Sequence, residues 1–147
     1  MKRYTLLFLR LSIAYLLLIW GADKFADPVH GLSVSRGFYA GLFGGRALMP
    51  VYGAVQIALA ALLAAGLARR YVYPAVAAIT GTTLLGVWKS VVDPWGWYLE
   101  GSSVLFYPSL IIFAAVLVLW AMSAEDVLAL GARAPVRRAR PLRTERR

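Results

Sequence analysis

Few side chains in this 147-residue chain could do chemistry, and their positions limit what that chemistry could be. Arg10 breaks into the apolar run Tyr4-Thr5-Leu6-Leu7-Phe8-Leu9, six residues past Tyr4 and so about 9 Å along a helix. A charge at that depth in hydrocarbon must reach headgroups or find a partner inside the protein. The reading favoured by its long stem is an arginine that snorkels to the nearer phosphates. The other is an inward-facing cation that pairs with a carboxylate or an acidic headgroup.

A second set gathers where the helices should end: Trp20, Asp23 and Lys24 close the first apolar run, Lys89 and Asp93 close the third, and Trp95, Trp97 and Glu100 follow. Lys89 and Asp93 are four apart and share a helix face. Together with the tryptophans they could line an aromatic pocket suited to a quinone head group, whose ring stacks while cations bind its carbonyl oxygens. The plainer reading is a set of interfacial charges ending helices beside belt tryptophans. Gln56, the only amide side chain, sits midway along the second run with Gly53 and Ala60 on its face, and reads as glue between helices. Thr80, Thr82 and Thr83 invite the same interpretation. His30, alone between Pro28 and Gly31, reads as a surface histidine.

Other chemistries are excluded. Cysteine is absent, which removes disulfides, thiolate catalysis and cysteine-held metals. One histidine cannot supply paired imidazole ligands, and no Ser-His-Asp set, phosphate loop or zinc motif is present, so no metal site is expected and no cofactor is expected to be covalently bound.

The elements that position these residues are helices in a membrane. The chain is 61% hydrophobic with a mean hydropathy of +0.67, well above soluble averages. Four spans are expected, at about 4–25, 47–68, 71–92 and 104–122, with Pro108 kinking the last. The first is read as a retained span, because it contains Arg10 and ends without a cleavage-like site. Breakers between Ala26 and Arg46 leave room for a short interfacial helix or a loop. The expected fold is therefore all-α: an integral membrane four-helix bundle over residues 1–127, followed by a basic, disordered tail at 128–147.

Charge sets the orientation. Lys2, Arg3, Arg69, Arg70 and seven tail arginines fall on one side, against Lys24, Arg36, Arg46 and Lys89 on the other. The heavier side should be cytoplasmic, which places both termini inside. The net charge of +9 then points to anionic membrane lipids as partners and not to nucleic acid.

Several short motifs extend this reading: Leu9-Arg10-Leu11, Trp20-Gly21-Ala22-Asp23-Lys24-Phe25, Gly53-Ala54-Val55-Gln56 and Ala65-Gly66-Leu67-Ala68-Arg69-Arg70. Over residues 5 to about 90 the chain resembles the DoxX family of small four-helix membrane proteins. The resemblance implies a multi-pass plasma-membrane protein associated with redox processes. Some relatives are the quinone-reducing membrane subunit of a thiosulfate-oxidising complex, and others assemble with soluble oxidative-stress enzymes. Arg10 and Lys24 fall on matching positions, whereas Gln56 stands where members often carry glutamate.

Two functions are expected from these residues together with what the resemblance implies. In the first, the chain is the membrane subunit of a quinone-linked oxidoreductase. It would work with a soluble or membrane redox partner, or as a homo-oligomer, and hold a quinone or lipid-like ligand through Arg10, Trp20, Lys24, Gln56, Lys89, Asp93, Trp95 and Trp97. In the second, it is a non-catalytic scaffold or assembly factor. Convergence of Lys24, Lys89 and Asp93 on a cavity would favour the first, and a filled interior the second.

Overall fold

The structure, a computed structural model, describes residues 1–27 and 48–132. The expected interfacial segment with His30, and the tail from Arg133, lie outside the described residues.

The described chain is all-helical: α1 (Lys2–Ala26), α2 (Leu48–Ala65), α3 (Arg69–Gly86), the short α4 (Trp88–Val92) and α5 (Ser109–Ala121), with 3-10 turns at Val104–Phe106 and Ser123–Glu125. α1 buries Leu6, Arg10, Ile13, Ala14, Leu17 and Gly21, a stripe at three- and four-residue spacing that faces its neighbours. It packs closely and antiparallel on α2, and the crossing depends on glycine. A Cβ on Gly21 would stand 2.9 Å from the Gly53 carbonyl oxygen, and one on Gly53 would stand 2.8 Å from that of Gly21. Small residues allow this backbone approach, as they do between membrane helices. α3 pairs with α5, while α1 touches α5 and α2 touches α3. The start of α1, the end of α2, the start of α3 and the end of α5 therefore share one end of the molecule, here the proximal end.

Several expected boundaries move, each for a local reason. The second span stops at Ala65, short of 68, because Gly66 (φ 68°) closes it. Its N–H donates to Leu63 O and that of Leu67 to Leu62 O, the pairing that satisfies a helix's last carbonyls. Arg69 and Arg70 consequently belong to α3 and not to the link. The third span does not run unbroken to 92: it breaks at Val87. Just before the break Thr80, Thr82 and Thr83 donate their hydroxyls to Val76, Ala78 and Ile79 carbonyls of their own helix, and Gly86 follows. Such back-bonding and a glycine weaken a helix locally. The threonines thus serve their own backbone and do not glue helices together. Pro108 caps the start of α5 and does not kink it, since the preceding residues form a 3-10 turn.

The distribution of polarity is inverted relative to a soluble domain. Arg10, Gln56, Thr80, Ser90 and Asp126 are buried, whereas Phe8, Tyr15, Val51, Leu85 and Ile111 are exposed. An outer surface of this kind fits hydrocarbon and not water. Lys2–Ala26, Leu48–Ala65 and Val104–Ala121 are each long and apolar enough to cross a membrane. α3, which opens on two arginines and carries three threonines, is not among them.

Candidate functional site

At the proximal end the chain does not leave the molecule after α5. Residues 122–131 turn back across the ends of the other helices as a strap. Leu130 N–H donates to Ala65 O at 3.0 Å and Gly131 N–H to Gly66 O at 3.3 Å, so the strap lies against the carbonyls that α2 leaves free. The approach needs glycine on both sides: a Cβ on Gly131 would meet Gly66 O at 2.8 Å, and one on Gly66 would meet Ala129 Cβ at 2.4 Å.

The strap carries Asp126 into the core. Its side chain is completely buried and Arg10 is 2% exposed; Arg10 Nη1 donates to Asp126 Oδ2 at 2.5 Å. Arg10 Nη2 reaches Leu128 O at 3.3 Å, and Tyr73 OH donates to the same Oδ2 at 3.3 Å. Arg69 holds the strap from the other side through Ser123 O (2.5 Å), Asp126 O (3.3 Å) and Gly131 O (3.1 Å). Lys2 and Glu125 add an exposed ion pair.

This geometry corrects the snorkelling reading of Arg10. Its guanidinium turns inward to a carboxylate 116 residues away. A buried ion pair is costly to split, about 3–5 kcal/mol when one partner is removed, because the other charge stays behind. The folded part also runs past the expected boundary at 127, since Ala129 is buried and Leu130 and Gly131 bond to α2.

The distal end is organised differently. Lys24 Nζ folds back to Trp20 O on its own helix at 2.9 Å and lies 5.1 Å from the centre of the Tyr52 ring. Lys89 Nζ reaches Glu100 O at 3.5 Å. Asp93 Oδ2 accepts the N–H groups of Tyr98 (2.6 Å) and Leu99 (2.9 Å), closing the loop after α4, while Ser90 Oγ accepts Ser103 N–H at 3.0 Å. Donation by the Tyr98 amide, helped by that of Leu99, holds the Asp93 carboxyl below its ordinary value, against the opposing effect of burial. Trp95 and Trp97 stack on each other, centroids 5.4 Å apart, and both point outward at 69% and 74% exposure. Among the described residues, no hydrogen bond or ion pair joins Lys24 to Lys89 or Asp93. Trp20 packs against the core, and Gln56 is buried beside the α1–α2 crossing.

Of the expected site residues, the structure brings Lys89 on α4 and Asp93, Trp95 and Trp97 on the loop that follows it to one place, leaves Lys24 on α1 and Gln56 at mid-helix, and puts Arg10 at the opposite end. Asp126, Tyr73 and the holding role of Arg69 were not foreseen. One signal was available: an intramembrane cation calls for a counter-charge, and Glu125 and Asp126 are the acidic residues that precede the tail on Arg10's side.

Comparison with family models, with curated proteins and with solved structures returns no match. The functional reading therefore rests on the geometry above.

Proposed function

We propose that the chain is a DoxX-like four-helix protein of the plasma membrane, with α3 as its fourth span and the proximal end cytoplasmic, and that it works as a non-catalytic scaffold for a partner protein. One observation carries this reading: the charged side chains expected to hold a quinone are each engaged by the protein itself. Arg10 is neutralised by Asp126, Asp93 holds loop amides, and Lys24 and Lys89 reach main-chain carbonyls. The membrane placement draws support from the three apolar helices and the apolar outer surface.

The quinone-linked reading keeps one observation in its favour, the exposed stack of Trp95 and Trp97, a flat aromatic surface that a quinone ring could join. Quinone titration of the protein in nanodiscs separates the two. The scaffold reading predicts uptake that follows lipid partition and is unchanged in Lys24→Ala and Lys89→Ala. Saturable binding lost in either variant, with helicity intact, would replace it with a redox subunit.

A further inference from the structure

Beside the strap lies a hollow of about 490 Å³, lined by Arg69, Arg70 and Tyr71 at the start of α3 and by Val127, Gly131 and neighbouring strap residues. Among the described residues no carboxylate lines it. Arg69 is locked in place by three carbonyl oxygens, which fix its direction without neutralising its charge. The nearby Asp126 carboxylate is already engaged with Arg10, while the hydrogen bonds of Arg69 among the described residues go to main-chain oxygens. Arg70 adds a third cation. Its guanidinium lies 5.5 Å from the centre of the exposed Tyr71 ring and forms no ion pair among the described residues.

We propose that this hollow binds the phosphate of an anionic phospholipid, an inference that rests on the membrane placement proposed above. Guanidiniums are the side chains best shaped for phosphate, which they meet with paired N–H donors. The surroundings favour a lipid over a free anion: Leu67, Tyr71, Val127 and Leu130 stand exposed beside the hollow, giving acyl chains an apolar surface next to the cations. The strap forms one wall, so the site exists only while Arg10 and Asp126 keep the strap in place. Lipid binding would in turn hold the strap closed, because a ligand that meets only the closed form stabilises it.

The test is native mass spectrometry of the full chain released from detergent, titrated with phosphatidylglycerol and with phosphatidylcholine. The wild type should retain one phosphatidylglycerol in preference to phosphatidylcholine. Arg70→Gln should weaken that retention about five-fold, Arg70→Lys should restore part of it, and Arg3→Gln, an exposed cation at the same end outside the hollow, should leave it unchanged. Equal retention of both lipids, or equal loss in Arg3→Gln and Arg70→Gln, would overturn the site. So would complete displacement by inorganic phosphate, which would make the free anion the ligand. Circular dichroism of each variant checks folding. Failure of the chain to co-sediment with membranes would instead overturn the membrane placement itself, which keeps the two failures distinct.

Discussion

The two ends of the molecule spend their charges in opposite ways. At the proximal end Arg10 and Asp126 meet across 116 residues of sequence, deep in the protein. At the distal end the hydrogen bonds of the charged side chains stay within about a dozen residues, Lys24 to Trp20, Asp93 to Tyr98 and Leu99, Lys89 to Glu100, and only the Lys24 contact with the Tyr52 ring reaches another helix. The first arrangement closes the fold, because neither partner can be satisfied unless α1 and the strap are both in place. The second shapes a loop, and its loss should leave the helices standing. Charged side chains therefore hold tertiary structure at one end of the molecule and local structure at the other.

The sharpest way to break this comparison is at Asp126. Asp126→Ala should destabilise the protein by about 3–5 kcal/mol, since Arg10 remains buried without its counter-charge. It should also free the strap, raising amide exchange of Leu130 and Gly131 while that of α1 mid-helix changes little. The absence of native cysteine allows a second check, because a cysteine introduced at Leu128 should be labelled faster once Asp126 is replaced. Next in size is Gly66→Ala, which asks a residue with a Cβ to adopt φ 68° and places that Cβ against Ala129. A cost of about 1–3 kcal/mol is expected in the unfolding transition.

At the distal end the effects should be smaller and confined to the loop. The folded Asp93 carboxyl lies below its ordinary value of 3.8, so the stability it contributes is complete above that value. It is lost as pH falls through the ordinary value and then through the lower folded one. Tryptophan fluorescence should report loosening of the Trp95–Trp97 stack in that acid range, and Asp93→Asn should remove the transition while helicity persists. Smallest of all, Lys24→Ala and Lys89→Ala should change unfolding by no more than about 0.5 kcal/mol, as expected of exposed or half-exposed polar contacts. A large effect from either lysine would erase the contrast between the ends.

What could be read in the sequence follows the same division. α1 was legible because an apolar run interrupted only by Arg10 carries its buried stripe, from Leu6 to Gly21, at helical spacing. The inward, polar placement of Gln56 beside Gly53 was legible too, from small residues on one face. The helix breaks at Gly66 and Val87 were less so: each depends on hydrogen bonds, from Leu67 N–H to Leu62 O and from the threonine hydroxyls to the preceding turn, that hydropathy does not register. The Arg10–Asp126 pair was out of reach of periodicity altogether, because Asp126 lies in a polar stretch that resembles the start of the tail. Its role emerges only when α5 ends beside the start of α1.

The most direct measurement is a double-mutant cycle on Arg10→Met and Asp126→Leu, read as unfolding free energy in mixed micelles. Each single variant strands one buried charge, whereas the double variant leaves none. The buried pair predicts that the double variant is more stable than the sum of the singles requires, with a coupling of about 2 kcal/mol or more. A coupling near zero, with both single variants as stable as the wild type, would mean that Arg10 reaches the membrane surface after all and that the strap is not held by it.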